Sequence, residues 1–130
     1  MKFSEVIKSA DWKNEKHVPV IEAPTAVVAG EKFEIKVCVG KEIAHPNTTE
    51  HHIRWIQIYF KPDSGQSAYE LIKIDFSAHG ESAKGVNEGP CYTEPFVSTV
   101  TKLSEGGDLI VVAYCNIHGI WENSIKITVE

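Results

Sequence analysis

Along FEIKVCV, Phe33, Ile35, Val37 and Val39 fall on one face, and Glu34, Lys36 and Cys38 on the other. LIKIDF sets Ile72, Ile74 and Phe76 against Lys73 and Asp75, and NSIKITVE sets Ile125, Ile127 and Val129 against Ser124, Lys126 and Thr128. A period of two belongs to half-buried strands. HIRWIQIYF and DLIVVAYC are apolar on both faces, which predicts central strands or an outer face covered by another subunit. VPVIEA and PFVSTVTK bring the set to about seven strands, separated by turn residues at Ala29-Gly30, Pro62 to Gly65, Gly85 to Pro90 and Gly106-Gly107. Only the first stretch is spaced differently. Phe3, Val6, Ile7 and Ala10 predict one short amphipathic helix between Phe3 and Lys13. The pattern reads as an all-β chain, an antiparallel β-sandwich with a short N-terminal helix.

Bulk properties narrow the function. The 130 residues suit a single domain over 1–130. A formal charge of −5 argues against nucleic acid as the main partner. No apolar run approaches the ~20 residues of a membrane span, and the N-terminus lacks the long apolar stretch of a signal peptide. The expected compartment is therefore the cytoplasm, with no membrane partner. Cys38, Cys91 and Cys115 are odd in number and widely spaced, a poor disulfide framework. Thiols of that kind are more often buried, metal-binding or reactive.

Six histidines are many for this length, and most lie at loops or strand ends. EKHVP carries His17, AHPNTTEHHI carries His45, His51 and His52, and YCNIHG carries Cys115 and His118. Taken singly, each has a plainer reading. Cys115 continues the face of Leu109, Val111 and Ala113 and would be a small buried hydrophobe. His51 and His52 alternate, so at most one faces a shared site. His79, in SAHGES, has no nearby partner and reads as a turn residue. Cys38 lies on a polar strand face and Cys91 in a Gly-Pro loop, and neither suggests a metal. Together, a thiolate and several imidazoles select iron, copper or zinc. Structural zinc usually takes two or more cysteines, often as C-x-x-C, and no such pair exists here. A blue-copper site would add an axial methionine, and the only methionine is Met1. Spacing alone leaves copper open, and a β-sandwich interaction module with a structural metal is a further alternative.

EKHVPVI at 15–21, GKEIAHPNTTEHHIRW at 40–55, AHGES at 78–82, YTEP at 92–95 and YCNIHGIWEN at 114–123 together resemble superoxide reductase of the one-iron class, also called neelaredoxin. The resemblance runs in order over nearly the whole chain. Ala44 departs from it, standing where relatives often carry proline. No cysteine precedes Cys38, so the extra N-terminal iron centre of the two-iron relatives is not expected. The resemblance implies an immunoglobulin-like sandwich, a homotetramer, and one non-haem iron per subunit. The iron would be held by His17, His45, His51 and His118 around it and by Cys115 behind it, with His52 left out. It implies that Glu15 binds the open sixth position when the iron is oxidised and that Lys16 assists the anionic substrate. The implied reaction is one-electron reduction of superoxide to hydrogen peroxide, with re-reduction by rubredoxin or a similar external donor. Glu15 and His17 are two apart, so an extended segment would point both the same way and Lys16 elsewhere. Exchanging Glu15 for Lys16 near the metal would then require the loop to move.

Overall fold

The computed structural model describes residues 1–130. Eight strands form two sheets: β1 (Pro19–Glu22), β2 (Ala26–Val27), β3 (Phe33–Val39), β4 (Ile53–Pro62), β5 (Tyr69–Asp75), β6 (Phe96–Thr101), β7 (Gly107–Cys115) and β8 (Gly119–Val129). The smaller sheet runs β1-β3-β6 and the larger β2-β8-β7-β4-β5. Between them lies the core that the alternation predicts. Ile35, Val37 and Val39 come from one sheet, and Ile56, Ile58, Leu109, Val111, Ala113 and Ile127 from the other. Burying each of these aliphatic side chains larger than alanine contributes about 1.5–3 kcal/mol against the entropy of ordering the chain.

The sandwich departs from expectation in three places. β2 is a two-residue strand, too short to show a period, and it pairs parallel with β8 while the other pairings are antiparallel. The N-terminal helix shrinks to a 3-10 turn at Phe3–Glu5. An isolated helix this short is marginal in water, and tertiary pairing takes its backbone instead. The Lys8 amide donates to the Ile120 carbonyl, and the Glu122 amide to the Lys8 carbonyl, at 2.9 and 2.8 Å. Farther on, the Asp11 carboxylate accepts from the Lys13 amide and the Asn14 side chain and closes a turn. Third, the pairing of β4 with β7 slips between Ile53 and Trp55. That bulge puts Ile53 and Ile56, three apart, both in the core and leaves Arg54 exposed.

β4 and β7 are apolar on both faces for a visible reason. Trp55, Tyr59, Ile110 and Val112 lie half-buried on the outer face of the larger sheet. With Phe3, Ile7 and Ile120 they line an apolar groove there.

Candidate metal centre

Three chain segments meet at one end of the sandwich. The first enters β1 with His17. The second joins β3 to β4 and carries His45 and His51. The third is the hairpin between β7 and β8, carrying Cys115 and His118.

The hairpin follows from YCNIHG. Cys115 pairs with Gly119, so Asn116, Ile117 and His118 form a three-residue loop. The chain enters β8 through Gly119 in the left-handed region, at φ 87°, which favours glycine. The tight loop returns His118 toward the strand end where Cys115 lies fully buried. The His118 amide donates to Cys115 Sγ at 3.3 Å. Gly40 serves the second segment. At φ 90° it lies so close that a Cβ would stand 2.6 Å from the His45 nitrogen.

Main-chain bonds fix His51 on both sides. Its amide donates to Thr48 Oγ1, and its carbonyl accepts from the Thr48 amide, at 3.0 and 2.9 Å. Asn116 reaches across from the hairpin. Its Nδ2 donates to the Glu50 carbonyl at 2.9 Å, and its Oδ1 accepts from the His52 amide at 2.8 Å.

Ligand atoms of His17, His45, His51 and Cys115 all lie within 4.8 Å of one another. His118 joins them from the solvent side, its Nδ1 3.1 Å from His17 Nε2 and 3.9 Å from Cys115 Sγ. Second partners select the inward nitrogens. His17 Nδ1 meets Glu15 Oε1 at 2.5 Å and His45 Nδ1 meets the Pro46 carbonyl at 2.7 Å, so each turns Nε2 toward the group. The Nε2 atoms of His45 and His51 are buried with no hydrogen-bond partner. Unpaired buried nitrogens are costly, and a cation supplies what they lack. Three imidazoles and a thiol, with a fourth imidazole at the rim, fit a transition metal such as iron.

Three of the imidazoles are shifted toward the neutral form that a ligand needs. Burial pushes His45 down to about 4, opposed by the Pro46 carbonyl and reinforced by His17, His51 and Lys16. His17 and His51 are also lowered, chiefly by burial, and the Lys16 charge acts in the same direction on both. Lys16 is half-buried and makes no ion pair. For Glu15, burial favours the neutral acid, but hydrogen bonds from the His17 ring and amide outweigh it and hold the carboxyl below its usual range.

Two expectations need correction. The 15–17 segment is bent rather than extended, and Glu15 folds back to take both the His17 amide and ring nitrogen. His79 is not a partnerless turn residue. It is 3% exposed, stacks on His52 with centroids 3.4 Å apart, and sets Nδ1 3.3 Å from Glu81 Oε2. The His-x-Glu spacing of HGE, the reverse of the Glu-x-His of EKH, was the available signal. The converging group contains His17, His45, His51 and Cys115, while His52, His79, Cys38 and Cys91 lie outside it.

Trp121, in the WEN that follows the YCNIHG turn, packs directly on the donors. Trp121 stacks on His17 with centroids 4.8 Å apart and planes 13° from parallel, and its Nε1 donates to the His118 carbonyl at 3.3 Å.

A family model described as desulfoferrodoxin matches residues 9–124. The neelaredoxin of Megalodesulfovibrio gigas is 52% identical over 130 residues, covering 100% of both chains. The superoxide reductase of Pyrococcus furiosus is 52% identical over 125 residues, 96% of this chain and 98% of its own. A crystal structure from Thermotoga maritima, 60% identical, superposes with a TM-score of 0.98 over 100% of this chain and 98% of that one.

Proposed function

The chain belongs to the desulfoferrodoxin family, and we propose from that premise that it is a non-haem iron superoxide reductase. The observation that carries this is the convergence of His17, His45, His51 and Cys115 within 4.8 Å, with two buried imidazole nitrogens unpaired. The residues that would hold the iron are His17, His45 and His51 through Nε2, His118 through Nδ1 and Cys115 through Sγ. When bound, the iron supplies the single electron that turns superoxide, with two protons, into hydrogen peroxide.

The remaining work falls to side chains. Neutral imidazoles and one thiolate leave net positive charge at the centre, which favours an anion. Lys16, uncompensated by any carboxylate, adds to it locally against the overall −5. Lys16 and water at the open rim deliver protons. Glu15 orients His17 through its ring nitrogen, and would be a further ligand to the iron in its oxidised state. One oxygen, Oε1, serves both the His17 amide and its ring Nδ1.

Electrons come from outside the chain, which has no flavin or nicotinamide fingerprint. A small iron protein of the rubredoxin kind fits a transient redox encounter. The apolar outer face of β4, β7 and β8 supports assembly into a homotetramer. Three free cysteines, Cys91 exposed, are consistent with a reducing cytoplasm.

A copper carrier is disfavoured because Met1, the one methionine, is 98% exposed and offers no axial sulfur. Pulse radiolysis of the reduced protein at known metal content is the decisive experiment. Peroxide released without oxygen is the expected result. Oxygen release would mean dismutation, and stoichiometric copper would mean the carrier.

A further inference from the structure

One corner of the centre carries a second lysine, Lys8. The segment before the Asp11 turn runs beside β8, bridged in parallel at Lys8 and Trp121. Both main-chain groups of Lys8 are bonded there, at 2.9 Å to the Ile120 carbonyl and 2.8 Å from the Glu122 amide. That pairing aims the side chain. Lys8 Nζ donates to the His118 carbonyl at 3.1 Å and stands 5.4 Å from the centre of the Trp121 ring. The same carbonyl accepts from Trp121 Nε1, and the same indole stacks on His17. His17 Nε2 and His118 Nδ1 are 3.1 Å apart. One ammonium therefore touches the main chain of one imidazole donor and the ring that packs on another.

We propose that Lys8 is a positioning residue of the metal centre, pinning the His118 turn and the Trp121 indole against His17 and setting a fixed positive charge beside the donors. The inference rests on the reading of the site as an iron centre. A cation–π contact and a charge-assisted hydrogen bond act together here. No carboxylate lies within ion-pair distance of Lys8 to cancel its charge. A neighbouring cation disfavours the more positive oxidised centre. Lys8 thus raises the midpoint potential, and groups beyond the ligands tune a metal in this way.

The test uses the full chain with Lys8→Met, Lys8→Gln and Lys8→Arg, at measured iron content. The Lys8 backbone bonds do not depend on the side chain, so the bridge to β8 survives in all three. Lys8→Met and Lys8→Gln are expected to shift the midpoint potential negative, and Lys8→Arg to restore it. In the metal-free protein, the indole N–H resonance of Trp121 is expected to move in Lys8→Met and Lys8→Gln but not in Lys8→Arg. An unchanged potential and an unchanged Trp121 resonance in Lys8→Met would overturn the proposal. Failure of the wild-type chain to take up redox-active iron would overturn the iron reading instead. The Trp121 resonance would then still decide whether Lys8 positions the turn.

Discussion

Asn116 brackets His51: its side chain takes the Glu50 carbonyl on one side and the His52 amide on the other. Because Asn116 follows Cys115, one residue couples two metal-binding segments. Asn116→Ala is expected to weaken metal binding by about 10- to 100-fold, the usual cost of losing a group that orients a ligand. Asn116→Asp keeps the acceptor and loses the donor, and should fall between. Competition with a chelator, read by metal content, measures both. Wild-type affinity in Asn116→Ala would show that Thr48 alone fixes His51.

Glu15 tests the opposite sign of charge. Its carboxylate on His17 Nδ1 raises the basicity of that imidazole and favours the oxidised centre. Glu15→Gln is expected to shift the midpoint potential positive, the reverse of Lys8→Met. A negative shift measured by spectroelectrochemistry would assign the carboxylate another role.

For Lys16, the expectation concerns rate and salt. Lys16→Ala should lower the second-order rate with superoxide on the order of tenfold at low ionic strength and flatten its salt dependence. Stopped-flow or pulse radiolysis at two ionic strengths reads both. An unchanged rate removes Lys16 from substrate capture.

pH dependence follows from His45. Its imidazole is depressed to about 4 when folded, against 6.5 ordinarily. As pH falls below about 6.5, the unfolded chain takes up this proton first. The metal-free protein should then lose stability steadily down to about pH 4, with no further loss from this group below. His17 and His51 shift in the same direction and add to the loss. Denaturant titration of the metal-free protein at pH 7.5 and 4.5 checks this, and equal midpoints would contradict it.

The outer groove predicts an assembly variant. Val112→Asp puts a charge among Trp55, Tyr59 and Ile110 and spares the buried face of β7. Light scattering should show a smaller particle with iron binding retained.

Much of this was legible in the chain because it depends on local periods. The buried face of β7 can be read from Leu109, Val111, Ala113 and Cys115. The candidate donors stood out through the resemblance carried by EKH, HPNTTEHH and YCNIHG together, since spacing alone left iron, copper and zinc open. What was hidden depends on distant partners. The helix expected at Phe3 to Lys13 gives way because β8 offers Lys8 better-paired backbone bonds. β2 is too short for alternation to register. His79 looked solitary because its partner, His52, is 27 positions away in the chain but stacked on it in space. The inward nitrogens required the partners of His17 and His45, among them a main-chain carbonyl at Pro46.

The donor group also spans the two sheets. His17 leads into the smaller sheet, while Cys115 closes a central strand of the larger. An ion held there would act as a clasp at one end of the sandwich, beside the Asn123 side chain that donates to the Pro19 carbonyl across the layers. Metal loss should therefore leave the β4–β7–β8 ladder protected while that end opens first. Hydrogen exchange at the amides of His17 and Val18 would quicken well before that of Val111. Oxidative damage to the donors would accordingly be felt as mechanical loosening as well as lost chemistry.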